Sequence, residues 1–138
     1  MLEVQVNHLG DVQFEVKARQ HTLYCDQPAS NCGFDEGITP PELLLASVGA
    51  CAGHYAVQYL KAHNLLVEGL RIRVTAEKAK NPARLNEIGI EVTYPFDLAA
   101  KDREGVLNAV HKCLIHNTLV NPPKIRVELH GAQVPAAA

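Results

Sequence analysis

The stretch GITPPELLLASVGACAGHYAVQYL, residues 37–60, decides how the rest of the chain is read. Thr39 can cap a helix, Pro40 and Pro41 suit its first turn, and Glu42 stands three residues after the cap, where its carboxylate can close a capping box. Nothing breaks the pattern before about Asn64. Leu44, Val48, Cys51, Tyr55 and Ala62 fall near one helical face, while Leu43, Ala50 and Val57 make much of the remainder apolar, so other elements are expected to enclose this helix. Gly49 and Gly53 each cost about 1 kcal/mol against alanine in a helix interior, and close packing by a neighbour would offset that loss. A thiol, Cys51, stands at the centre of this apolar segment.

On the N-terminal side the period is two. Leu2, Val4 and Val6 alternate with polar residues, as do Val12, Phe14 and Val16, and His8-Leu9-Gly10-Asp11 lies between the runs, which predicts an antiparallel hairpin. A third strand is predicted at His21–Cys25, followed by the turn-rich loop DQPASNCGFDEG. On the C-terminal side Leu70, Ile72, Val74 and Ala76 alternate, and after Asn81-Pro82 so do Ile88, Ile90, Val92 and Tyr94, a second hairpin. A second helix is expected from about Asp102 to Leu119, with Val106, Val110, Cys113 and Asn117 on one face. It stops before Asn121-Pro122-Pro123. Ile125, Val127 and Leu129 predict a closing strand, and Pro135–Ala138 a frayed end. The order predicts an α+β fold, antiparallel sheet covered by two cysteine-bearing helices.

With 138 residues, 47% of them hydrophobic, the chain suits one domain over 1–138. Its net charge of −2 and scattered lysines and arginines give no phosphate-binding stripe, so nucleic acid is not expected as a partner. Met1 leads straight into LEVQVNH with no secretory pattern, and no apolar run is read as reaching the ~20 residues of a membrane span. A cytoplasmic location is therefore expected, with no membrane partner. In a reducing compartment the four cysteines point to redox or metal chemistry rather than a disulfide framework.

Cys51 precedes His54 by three residues and Cys113 precedes His116 by three, a spacing that puts both members of each pair on one helical face. Two such helices meeting in the core support two chemistries. In one, a thiolate cleaves an O–O bond, becomes a sulfenic acid and condenses with the second thiol. In the other, Cys51, His54, Cys113 and His116 hold a tetrahedral metal such as zinc. Spacing does not choose between them. Leu44, Val48 and Tyr55 would wall an apolar pocket suited to organic hydroperoxides. Cys25 and Cys32 flank a short loop and are read as two unpaired thiols, the alternative being a local disulfide or a redox-sensitive pair.

TPPELLLASVGAC, followed some sixty residues later by HKCLIHNTLVNPPKIRVEL, resembles the OsmC/Ohr family of thiol-dependent peroxidases, and the order of elements matches that family's fold along nearly the whole chain. The resemblance implies a homodimer with swapped strands and active sites at its interface. It makes Cys51 the peroxidatic cysteine, Cys113 the resolving one and Glu42 the family's Pro-Glu carboxylate; no cofactor is needed for the peroxide step. Small thiols or lipoyl-type dithiols are implied as reductants. Typical members place an arginine in the first hairpin turn, where this chain has none, and the interval from Glu42 to Cys51 is one residue short. His54 is expected to replace that cation in part. The alternative is a non-catalytic protein of the same fold, binding a metal or a small apolar ligand at the dimer interface.

Overall fold

The N-terminal runs form β1 (Gln5–Gly10), β2 (Gln13–Ala18) and β3 (His21–Cys25) in a computed structural model that describes residues 1–131. The three strands make one antiparallel sheet in sequential order. Register aligns Val6 with Val16 and Val16 with Leu23, so the apolar side chains collect on one face, as the alternation predicts. β1 begins at Gln5 rather than Leu2 and runs three residues further than the sequence suggested, through a bulge between His8 and Gly10. The turns take left-handed residues, Asp11 at φ 45° and Arg19 at φ 56°.

α1 spans Pro40–Ala62, and its capping box forms as read: the Glu42 amide donates to Thr39 Oγ1 (3.4 Å), while the Thr39 amide donates to Glu42 Oε2 (2.8 Å). β4 (Arg71–Ala79) and β5 (Arg84–Thr93) pair antiparallel as a second, two-stranded sheet. α1 lies across it. A Cβ on Gly49 would stand 3.0 Å from a Val74 methyl, and one on Gly53 would stand 3.3 Å from Ile72, so the glycines admit strand side chains to the helix surface. Ala52, Ala56 and Leu60 of α1 pack with Val106 and Val110 of α2 (Ala100–His111) as the core, ringed by Leu70, Ile72, Ile90, Val92 and Tyr94. Complete burial of Val48 or Leu60 stabilises by about 1.5–3 kcal/mol each.

The structure departs from the sequence reading at four places. The second helix is not continuous: it ends at His111, and Cys113, with φ −55° and ψ 135°, caps a separate α3 (Leu114–Val120). No proline or glycine marks the break. Ile125, Val127 and Leu129 pair with neither sheet and are 84%, 90% and 98% exposed. The expectation of an enclosed α1 holds for one stripe only, Val48, Ala52, Ala56 and Leu60, while Leu44, Ala46, Ala50, His54 and Gln58 are exposed. By length and hydropathy α1 does meet the composition test for a membrane span, contrary to the sequence reading, although its buried stripe is that of a core helix. Pro135–Ala138 lies outside the described residues.

Two anchors set the placement of loops and helices. Tyr59 Oη on α1 donates to Asp102 Oδ1 at the start of α2 (3.1 Å), and the Tyr59 ring stacks on His63 at 3.9 Å. Gly105 leaves room for that ring, since a Cβ there would fall 2.1 Å from Tyr59 Cζ. The second anchor is Asp26, 2% exposed, whose carboxylate accepts from Gln13 Nε2 (3.0 Å) and from the amides of Gln27 (2.7 Å), Phe34 (3.1 Å) and Glu36 (3.1 Å). Burial raises the Asp26 carboxyl, but these four donors outweigh it and bring it from 3.8 to about 2.

Two outcomes follow. Gly105→Ala gains helix propensity of about 1 kcal/mol but displaces Tyr59 from Asp102, so a net loss of about 1–3 kcal/mol is expected in urea unfolding. The Asp26 contribution is complete above pH 3.8 and is lost as pH falls toward about 2, where the unfolded chain takes up the proton first. Thermal unfolding followed by circular dichroism between pH 4 and pH 2 should therefore drop more steeply for the native sequence than for Asp26→Asn.

Candidate functional site

The break between α2 and α3 turns the chain at Cys113, and this is what delivers its thiol to α1. Cys113 is 1% exposed and half-buried Cys51 lies beside it, close enough for the two thiols to share a hydrogen bond; both are free. Burial pushes the Cys113 thiol above its ordinary 9.0 and the hydrogen bond with Cys51 adds to the rise, while the amides of His116 and Ile115 oppose it by favouring the thiolate. The arrangement suits a second-acting thiol, held neutral until a partner sulfur is ready to be attacked.

Next to the pair, one turn before Cys51, Val48 enters the wall of a cleft of about 440 Å³ between β5 and the α2–α3 elbow. Ile88, Ile90, Val110 and Leu119 make it apolar, and His111 and His116 stand in its lining with their rings edge to face at 5.2 Å. Among the described residues no lysine or arginine lines this cleft.

Of the site residues read from sequence, Cys51, Cys113, Val48 and His116 gather at this elbow. The others lie elsewhere. Leu44 is 38% exposed and Tyr55 is half-buried; neither lines the cleft. His54 is exposed and meets the Tyr55 ring edge to face at 5.6 Å. Glu42 is committed to the cap, where the Thr39 amide and hydroxyl hold its carboxyl below the ordinary value, and nine helical residues set it roughly 13 Å along the axis and half a rotation away from Cys51. Among the described residues no three His, Cys, Asp or Glu side chains converge as metal ligands, so Cys51, His54, Cys113 and His116 do not form the tetrahedral set that their spacing allowed. That set assumed Cys113 on a helical face. At a helix cap its Cβ points differently, and the three-residue rule no longer relates it to His116.

Sequence reasoning gave His111 no place in the site and no role to Asp26, because neither has a spacing that singles it out. Asp26 could have been found from its setting, an aspartate directly before Gln27-Pro28 in a turn-rich loop, where its carboxylate accepts from three backbone amides. Arg19 takes an exposed turn position between β2 and β3, and the β1–β2 turn carries Asp11 and no arginine.

Known structures resemble this one along most of its length. A protein from Psychrobacter arcticus named for osmotic stress induction and detoxification response superposes with a TM-score of 0.79 at 23% identity, covering 86% of this chain and 88% of its own. An OsmC like protein from Mycoplasma pneumoniae gives 0.73 at 22%, over 88% and 89%. The organic hydroperoxide resistance protein of Bacillus subtilis gives 0.59 at 19%, over 88% and 92%. At these identities the likeness establishes the α+β fold. No curated protein matches the sequence. The model of the OsmC-like protein family matches residues 33–128, which takes in Cys51, Cys113 and the elements that bring them together, and the chain belongs to that family.

Proposed function

We propose that this protein is a thiol-dependent peroxidase that reduces organic hydroperoxides. The observation that carries the proposal is the contact of the Cys51 and Cys113 thiols beside an apolar cleft. The Cys51 thiolate attacks the distal oxygen of ROOH, the O–O bond breaks, and Cys51 becomes a sulfenic acid while RO⁻ departs. His116, half-buried in the cleft wall, supplies the proton that converts RO⁻ to the alcohol. Cys113 then gives up its proton and its thiolate attacks the Cys51 sulfur; the S–O bond breaks and the hydroxide leaves with that proton as water, giving a disulfide. A small thiol or lipoyl-type dithiol restores both thiols by exchange. The alkyl group of the substrate occupies the space between Val48, Ile90 and Leu119, where burial favours it over hydrogen peroxide. His54, expected from sequence to stand in for the missing arginine, has no part in this scheme, and Glu42 serves by fixing the start of α1.

The same reading makes the protein a homodimer. The β1–β3 sheet makes no substantial packing with the helices or with β4–β5 among the described residues, and Val6 and Leu23 on its apolar face are 58% and 36% exposed. Half of α1 is uncovered and the 125–129 segment has the alternation of a strand without a sheet. A second copy offers the complement to each: a helix for the sheet face, a sheet for the helix face, an edge for the strand.

One equivalent of cumene hydroperoxide should remove two thiols per chain from the reduced protein, with peptide mapping giving a Cys51–Cys113 link; retention of both thiols would overturn the peroxidase reading and leave the cleft as a binding site. Cys113→Ser should stop at the Cys51 sulfenic acid, trapped by a dimedone probe. With His116→Gln the peroxide step should slow by about 10²-fold while disulfide reduction is unchanged. Because Cys113 sits above its ordinary value, disulfide formation in stopped-flow should go on accelerating past pH 9.0 rather than levelling there.

A further inference from the structure

A second pair of thiols lies in the N-terminal third, outside the peroxide site. Cys25 ends β3 and is 6% exposed; Cys32 is exposed and follows a short 3-10 turn at Ala29–Asn31. Both line one cleft of about 370 Å³, whose other walls include Val12, Phe14, Asn31 and Pro40.

The chain on each side of these cysteines is held. Asp26, next to Cys25, takes its four hydrogen bonds from Gln13, Gln27, Phe34 and Glu36. Gly33, next to Cys32, presses so closely on Gln27 that a Cβ would fall 1.8 Å from its carbonyl oxygen, and the Gly33 amide donates to the Pro28 carbonyl (3.2 Å). The Asp26–Gly33 approach thus closes the loop and leaves both cysteines in the lining of one cleft. Cys32 itself has φ 64°, in the left-handed region that a residue with a Cβ seldom occupies.

We propose that Cys25 and Cys32 form a second dithiol site, which exchanges with small uncharged disulfides. Cys32, the exposed thiol, loses its proton and attacks one sulfur of RSSR; the S–S bond breaks, a mixed disulfide forms on Cys32, and the leaving RS⁻ takes up a proton as RSH. The Cys25 thiolate then attacks the Cys32 sulfur, expelling the second RS⁻, which leaves as RSH. The protein has lost two electrons and the small disulfide has gained them. Cys25 acts second because it is buried, whereas Cys32 is exposed. The class of ligand follows from the walls: Val12, Phe14 and Pro40 favour a short apolar disulfide, while the Asp26 carboxylate at the lining disfavours an anionic one.

The test uses the full-length reduced protein and bis(2-hydroxyethyl) disulfide, with acid quench, alkylation and peptide mapping. The expected result is loss of both the Cys25 and Cys32 thiols and a link between them, and accumulation of a mixed disulfide on Cys32 when Cys25→Ser is treated in the same way. A stable mixed disulfide on Cys32 in the native sequence with Cys25 still free, a link from either cysteine to any other, or no change at either would overturn the proposal. The native-sequence arm decides even where Cys25→Ser does not fold. The Cys51 and Cys113 peptides are read in the same maps, so failure here is separable from failure of the peroxidase reading.

Discussion

The approach of β4 to α1 is the constraint on which the rest of the molecule depends. Two glycines on one helical face let Val74 and Ile72 reach the helix surface, and on the adjoining face Ala52 and Ala56 let α2 come equally near. Small residues on both faces draw three layers together around one helix. With α2 held close, the elbow that follows it has only a short distance to cover, and Cys113 arrives against Cys51 rather than against solvent. A larger residue at Gly49 or Gly53 would act on the thiol pair from across the helix, by moving the sheet that carries the cleft's far wall.

The elements that could be read from the sequence are those in which local pattern and tertiary burial agree. Alternation at Val6, Val16 and Leu23 gave strands whose register then aligned those residues, and Thr39, Pro40 and Glu42 announced a helix start that the hydrogen bonds reproduce. The break at Lys112–Cys113 could not be read because its cause is not local. No Gly or Pro lies between His111 and Leu114, and the i, i+4, i+7 series through Val106, Val110 and Cys113 runs straight across it. The three-residue spacing of Cys113 and His116 was real, yet it was interpreted on a helix that does not exist there. Both residues reached the site by another route, one as a cap and one from the first turn of α3. Leu44, Tyr55 and His54 share the converse fault: a helical wheel tells which residues lie together, but not which side of the helix the chain will cover.

That uncovered side has its own logic. An alternating, unpaired segment at 125–129, an apolar sheet face at Val6 and Leu23 and the open half of α1 are three surfaces that each cost free energy in water. They are unlike one another, and each is the kind of surface that another of the three would cover. Complementarity of this sort within one sequence is the condition for exchange between identical copies, because the pairing then needs no second gene product. Under the homodimer reading proposed above, residues read as core from their hydropathy, such as Leu44, would be core residues of the assembly.

The electrostatics of the site then take a particular form. Members of the family that carry an arginine near the reactive sulfur can hold a thiolate by charge, but here the cleft is lined by two imidazoles, hydrocarbon, Asn86 and Glu87, with no lysine or arginine among the described residues. An imidazole exchanges protons near neutral pH where an arginine cannot, so it serves the departing alkoxide better than it serves the attacking sulfur. Under the peroxidase reading the chemistry therefore shifts its demand from nucleophile activation toward leaving-group protonation and apolar binding of the alkyl chain. A raised Cys113 fits the same economy: a neutral second thiol adds no negative charge next to Cys51 while the first step runs, and it ionises for attack only after Cys51 has given up its own charge to oxygen.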